Sequence, residues 1–396
     1  MQVNLENANQ QTVYDIIIAG AGCAGLSLLY AILNSPSLSS QTILVVDKSF
    51  EKSNDRTWCF WEEGQGVFEN LVCKQWEQIS IHKESFSTIL ATDPFVYKMI
   101  QGEDFYNYVI SYAKGFENVH WVESSIHLVD NQDNQVVVEW DGGNAYGKKV
   151  FSSILQQEKL FTISQSNLSN PFLWQHFKGW LIQFDEPVFN EMEARLMDFN
   201  VNQHQATAFM YQLPLTHRKA LVEYTLFSKD ILSASQYETE IKSYLKINFP
   251  NKNYQILHEE IGAIPMTSQS FAKNEGNIYV IGTLGNAVKA STGYAFQFIQ
   301  KQVKQIVSQL EKGVTIDTQV HNTRHSFYDA VLLYILDHKL MEGSEIFKRI
   351  FEKNSAETIF KFLSNTSNIV EDIKIMRSLP THIFLPAAIR VLLRRS

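Results

Sequence analysis

Cysteine is scarce in this chain. Cys23, Cys59 and Cys73 are the only three in 396 residues, an odd number with no metal-ligand spacing. This argues against a disulfide framework and a thiolate metal site, and a reduced, cytoplasmic setting is the simplest expectation. An excess of positive charge is missing too: 34 Lys and Arg stand against 42 Asp and Glu, and the net charge of −8 argues against general affinity for nucleic acid. The first thirteen residues contain no Lys or Arg and no apolar core, so no secretory signal is expected there. No apolar stretch is long enough to cross a bilayer. The uncharged run Ile16–Leu33 is cut by glycines into two pieces that are each too short. Disorder is excluded in turn, because 45% of the residues are hydrophobic and the length suffices for two or three subdomains around a large core.

What is present begins with YDIIIAGAGCAGLSLLYAIL, Tyr14 to Leu33. Ile16, Ile17 and Ile18 form a run fit for a strand buried on both faces, and Gly20, Gly22 and Gly25 supply the G-x-G-x-x-G spacing of a dinucleotide site. The first glycine makes the turn, and the second admits backbone N–H groups to a pyrophosphate at a helix N-terminus. The third lets that helix pack closely on the strand. After a Ser-rich loop, TILVVD predicts a second buried strand, and its Asp47 is placed to hydrogen-bond a ribose hydroxyl.

NDRTWCFW, Asn54 to Trp61, concentrates two indoles, a phenyl ring and an Asp–Arg pair. It reads equally as a core segment or as an aromatic wall facing a cation. Cys59, with no orienting histidine nearby, reads as a small buried residue rather than a nucleophile. GEDFYNYVISYA predicts a helix with Phe105, Tyr108, Val109 and Tyr112 on its core face, VHWVES a third strand, and VVVEW to KVF a hairpin. GWLIQF, RLMDF, ATAFMYQLP and KALVEYTLF are spaced like an antiparallel meander, a second domain whose inner face could cover a ligand. Within it Glu223 either faces water or faces inward as a general acid, and Asp198 carries the same two readings.

A helix is expected over Gln236 to Phe249, after which HEEIGAIPM returns the chain to the first domain. NIYVIG predicts another buried strand. In the following TLGNAVKASTGYAF, Gly282, Gly285 and Gly293 place small residues where backbone can approach a cofactor, and Ser291 or Thr292 is the expected cap of a helix running to Gly313. Beyond Asn322 all reads as helix, with breaks at Gly343, Asn354 and Pro380. The final FLPAAIRVLLRRS is either an interfacial helix at an anionic lipid surface or a helix docked on the body.

IIIAGAGCAGLS, NDRTWCFW, LMDF, FMYQLP with LVEYT, GAIPM and STGY, in this order, resemble the lycopene β-cyclase family of bacterial-type flavoproteins over Asp15 to about Phe298. The resemblance implies an α/β fold. In it a Rossmann-like FAD-binding domain of the aromatic hydroxylase and geranylgeranyl reductase type carries an inserted antiparallel β-sheet domain for substrate and a helical C-terminal region. The corresponding boundaries are 1–74, 100–160 and 256–318 for the FAD domain, 75–99 and 161–255 for the substrate domain, and 319–396 for the helices.

The implied reaction cyclises the ends of lycopene to β-rings, through γ-carotene to β-carotene, with reduced FAD and no net redox change. Glu223 occupies the position of the family's essential acid, and Trp58, Phe60 and Trp61 are the expected stabilisers of the carbocation. The expected FAD contacts are Gly20, Gly22, Cys23, Ala24, Gly25, Asp47, Lys48, Arg56, Gly282, Gly285, Thr292 and Gly293. Two departures stand out. Ala290 replaces a proline common before STGY, and KVFSSIL lacks the Asp-Gly motif of flavin hydroxylases. A substrate this apolar also implies peripheral membrane attachment. A flavin-dependent isoprenoid reductase or hydroxylase is the redox alternative, marked by stoichiometric reductant use, and a pigment or flavin carrier is the non-catalytic one.

Overall fold

The computed structural model describes residues 12–154, 171–269 and 273–395. β1 (Val13–Ala19) sits inside a sheet because its side chains serve two apolar clusters at once. Ile16 and Ile18 pack towards the helices, and Ile17 joins Leu44 and Val46 on the opposite face. β2 (Ile43–Asp47) and β8 (Val119–Glu123) extend the sheet in parallel on one side, and β11 (Gly143–Ser152) does so on the other. β11 then forks. Its first half pairs antiparallel with β10 (Gln135–Trp140), which pairs with β9 (Ile126–Gln132), while its last residues pair in parallel with β17 (Ile278–Val280). α1 (Cys23–Leu33), α2 (Gly102–Ala113) and α4 (Phe296–Lys312) cover one face.

The second sheet runs β16 (Tyr254–Thr267), β12 (Phe172–Phe184), β15 (Lys219–Ser228), β14 (Thr207–Pro214), β13 (Glu193–Asp198), β5 (Gln78–Lys83), β6 (Phe86–Ala91). The expected meander is corrected here, since β12 pairs with β15 and β16 rather than with its successor β13, and β13 pairs in parallel with β5. HEEIGAIPM, expected to return to the first domain, instead forms the edge strand β16 beside β12. The inserted sheet therefore continues to Thr267, past the boundary expected at 256. α3 (Ala234–Asn248) packs on the sheet face lined by Val222, Tyr224 and Leu226.

A small third sheet, β3 (Thr57–Glu63), β7 (Phe95–Gln101) and β4 (Val72–Trp76), joins the two large ones. The boundaries expected at 74/75 and 99/100 fall inside β4 and β7, so they do not divide the chain cleanly. Five helices follow: α5 (Thr323–Asp337), α6 (Gly343–Lys353), α7 (Ala356–Leu363), α8 (Ile369–Arg377) and α9 (Thr381–Arg395). α9 buries Ala387 and Val391 against α5 and leaves Leu385, Ile389 and Leu392 exposed, so docking and an exposed apolar face coexist on one helix. Among the described residues no helix is long and apolar enough to cross a membrane.

Candidate active site

A cavity of about 520 Å³ runs from the glycine turn of α1 to the inner face of the second sheet. Two-residue periodicity builds that face. On β15, Leu221, Glu223, Thr225 and Phe227 line the cavity while the alternate residues pack beneath α3, which settles the orientation of Glu223 as inward.

At the other end, Gly22, Cys23 and Ala24 line the cavity at the start of α1. Among the described residues a Cβ built on Gly22 meets nothing within 4 Å, so the space beyond it is open to them. The α1 N-terminus has no side-chain cap and no acid in its first turn, which leaves its amides directed at that space. Gly20 (φ +103°) and Gly25 serve the turn itself: a Cβ on Gly25 would lie 2.0 Å from the Gly20 carbonyl oxygen. Asp47 and Lys48 line the same end. Asp47 Oδ2 accepts from the Ala21 amide at 2.6 Å, and Oδ1 accepts from Lys52 Nζ at 2.8 Å.

Gly282, Thr292 and Gly293 approach from the opposite side. The expected cap is corrected, for α4 begins at Phe296 after an Ala295 that offers no side-chain bond. Ser291 Oγ donates to Asp329 at 2.7 Å, and the Thr292 hydroxyl is buried in the cavity wall with no partner among the described residues. Gln175 Oε1, on β12, is a second unpartnered polar atom in that wall. Gly285 is not part of it. A Cβ there would lie 2.3 Å from the Val280 carbonyl oxygen, so this glycine permits a turn against β17.

Glu223 is 8% exposed and has a close companion in Glu260, 7% exposed, from β16. Both lie opposite Gly179 of the intervening strand β12. A Cβ at Gly179 would approach Glu260 Cγ at 3.2 Å and Glu223 Cβ at 3.3 Å, so the missing side chain lets two carboxyls meet across a strand. Thr225 Oγ1 donates to Glu223 Oε1 at 2.6 Å, and Thr57 Oγ1 donates to Glu260 Oε2 at 3.0 Å. Burial, and then the charge of Glu260, push the Glu223 carboxyl well above the usual glutamate range against the pull of Thr225. Burial raises Glu260 too, opposed by hydrogen bonds from Thr57 and Glu223 and by the charges of His258 and Arg56. Glu260 escaped the sequence reading. Its only signal was the second acid of HEEIG, and nothing in that pair says which one faces the cavity.

The aromatic wall differs from expectation. Trp58 lines the cavity and packs edge-on against Phe105 and Tyr106. Phe60 and Trp61 do not line it. Phe60 stacks on Phe296 within the helical core, and Trp61 stacks on Phe360 of α7 and donates to Ser364 Oγ at 2.6 Å. Alternation along β3 sends these neighbours to opposite cores. The rings around the carboxyl end are Phe177, Phe209, Tyr211, Phe227 and Tyr294. Tyr97 links the phenols of Tyr211 and Tyr294 by hydrogen bonds, and burial holds all three well above the usual range, hence neutral.

Arg56 lines the cavity beside Asp55, 3.1 Å from Nε. Burial pushes the Cys59 thiol well up and the Cys23 thiol to about 12, so neither is a ready nucleophile. Asp198 is structural: Oδ2 accepts from Tyr244 of α3 at 2.9 Å and from Arg195 at 3.2 Å. No metal-ligand cluster occurs among the described residues.

The chain matches the family described as lycopene cyclase protein over residues 15–388. A search of curated protein sequences gave no match. In shape it is similar to a flavoprotein/dehydrogenase from Cytophaga hutchinsonii, with a TM-score of 0.61, 10% identity and coverage of 97% of this chain and 100% of that one. A geranylgeranyl bacteriochlorophyll reductase-like protein from Thermoplasma acidophilum follows at 0.56, with 12% identity and coverage of 97% and 100%. A p-nitrophenol 4-monooxygenase from Pseudomonas putida aligns at 0.58, with 9% identity and coverage of 98% of both chains. These likenesses are ones of fold, and they bear out the Rossmann-like α/β architecture expected from the sequence.

Proposed function

The chain belongs to the lycopene cyclase family, and on that premise we propose that it converts the linear ends of lycopene to β-rings, through γ-carotene to β-carotene, by acid-initiated cyclisation. The observation that carries this reading is Glu223, a buried carboxyl on the cavity face whose surroundings favour the protonated form. A trisubstituted alkene is a feeble base, so its protonation needs a carboxyl that still holds its proton near neutral pH and a pocket that excludes water. Glu223 then protonates the terminal alkene. The ring faces of Tyr211, Phe227 and Tyr294 are electron-rich neighbours for the cation that forms, and the phenols of the two tyrosines, held neutral, do not compete for the proton.

FAD fits the other end of the cavity. The open space at Gly22 and the uncapped α1 N-terminus suit a pyrophosphate, Asp47 suits a ribose hydroxyl, and Thr292, with its unpartnered hydroxyl, stands in the cavity wall. Lys48, Arg56, Gly282 and Gly293 complete the proposed seat. When bound in its reduced form, the flavin supplies a delocalised negative charge near the cation, with no net electron transfer. Gly22→Val would place a branched side chain in the pyrophosphate path, and the purified variant should carry little FAD; full flavin content would refute the seat. The exposed Leu385, Ile389 and Leu392 of α9 support peripheral attachment to the membrane that holds the substrate.

Expression in a lycopene-accumulating cell, followed by pigment analysis, tests the whole reading. Conversion to β- or γ-carotene is expected. Unchanged lycopene would sink it, and stoichiometric consumption of reductant would point instead to a flavin-dependent reductase or hydroxylase.

A further inference from the structure

Glu260 is not the acid that protonates the alkene, yet its placement is unusual. It reaches the Glu223 carboxyl only because Gly179 leaves a gap on the strand between them. Each acid has its own hydroxyl donor, Thr225 for one and Thr57 for the other, and the two carboxyls are within hydrogen-bonding reach of each other. Both line the cavity. The other titratable groups acting on the pair are Arg56, His258 of β16, Cys59 of β3 and Tyr294, with Tyr211 of β14 opposite Glu223 in register. Among the described residues that act on the pair, only Arg56 is a fixed cation. It exerts its pull on Glu260, not on Glu223, and it forms its ion pair with Asp55.

We propose that Glu223 and Glu260 work as one proton-sharing pair, in which Glu223 gives its proton to the substrate and Glu260 receives the proton that leaves it. The proposal rests on the cyclase reading for its substrate. Two adjacent buried carboxyls do not ionise together readily, so one proton stays on the pair through neutral pH. The hydroxyl donors offset each other, one to each acid, and the asymmetry that puts the proton on Glu223 is that Arg56 and His258 favour charge on Glu260 alone.

The steps balance without an outside reagent. The O–H bond of Glu223 breaks and its proton forms a C–H bond at the terminal alkene. The π electrons of the neighbouring alkene form the ring C–C bond. A ring C–H bond then breaks, its electrons become the new double bond, and its proton passes to Glu260. Transfer along the hydrogen bond to Glu223 restores the starting state. Between the two transfers the pair is doubly ionised, which places two negative charges beside the carbocation and makes the pair eager to take a proton back.

The test is an infrared titration of the FAD-loaded protein, following the C=O stretch of protonated carboxyl above the ordinary carboxylate range, together with the pH–rate profile. Wild-type protein should keep a protonated carboxyl through neutrality. In Glu260→Gln the midpoint should fall by about one pH unit or more, a tenfold change, and cyclisation should be largely lost because the amide cannot take the leaving proton. In Glu223→Gln the neutral-pH band should vanish. Gly179→Ala retains both acids but drives a methyl group between them, and it should lower the midpoint as well. An unchanged midpoint in Glu260→Gln would overturn the pair. Coupled titration without any cyclisation would overturn the cyclase reading and leave the pair standing; cyclisation with independent titration would do the reverse.

Discussion

Asp329 and Glu223 are both nearly sealed from solvent, 3% and 8% exposed, yet their company differs. Asp329 Oδ1 lies 2.8 Å from Nζ of a fully buried Lys289 and accepts from Ser291, and Lys289 also donates to Asn365 at 2.7 Å. Charge there is cancelled on the spot, and the cluster fastens the loop before α4 to the C-terminal helices. Glu223 has no cation within ion-pair distance among the described residues, only Thr225 and a second acid. Burying a carboxyl without a cation favours its neutral form, which is costly for an anchor and useful for a proton donor. The company an acid keeps therefore separates the part of the interior that holds the fold from the part proposed to do chemistry.

Exchanging the acids for neutral side chains should break that contrast in opposite ways. The largest effect is expected from Glu223→Gln, which should lower cyclisation about 10³-fold while FAD content and folding persist. Activity near the wild-type level in a pigment assay would remove Glu223 from its role. Asp329→Ala should cost about 3–5 kcal/mol of stability in chemical denaturation, because it strands the Lys289 charge. A loss no greater than that of a surface substitution would mean the cluster is not an anchor.

The pH dependence of stability has a definite sign. Glu223 is raised in the folded state, so its contribution is fully present below the unfolded value and is lost as pH rises through the folded one. Over that window wild-type stability should fall by up to about 1.4 kcal/mol per pH unit, a slope that Glu223→Gln should flatten. Parallel denaturation curves for the two proteins across the window would contradict it. The smallest effect belongs to Trp61→Phe, which should cost about 1 kcal/mol through the lost Ser364 bond and leave activity nearly intact. A large loss of activity would return Trp61 to the cavity wall.

Residues whose role depends on local spacing were the legible ones. The glycine turn, the strand ending at Asp47 and the helix breaks at Gly343, Asn354 and Pro380 all follow from backbone rules that act within a few residues. Glu223 was legible as a candidate, and the register of β15 then gave its direction. Glu260 was not, because its meaning depends on Gly179, some eighty positions away and significant only once β12 lies between the two acid-bearing strands. Phe60 and Trp61 failed for a related reason: an aromatic pair on a strand points both ways, and sequence alone does not say what lies on each side.

The fork in β11 bears on how the chain folds. β1, β2, β8 and β11, with α1 between the first two, are complete within the N-terminal part of the chain, but β17 reaches the sheet only after the whole second sheet has been traversed. Long-range pairing of this kind is slow. The nucleotide turn should therefore form early during synthesis, whereas the cavity closes only when Glu260 and Thr292 arrive from late in the sequence. Until then the apolar inner face of the second sheet is an aggregation hazard, and a dinucleotide bound to the early half would give the late segments a preformed surface on which to close.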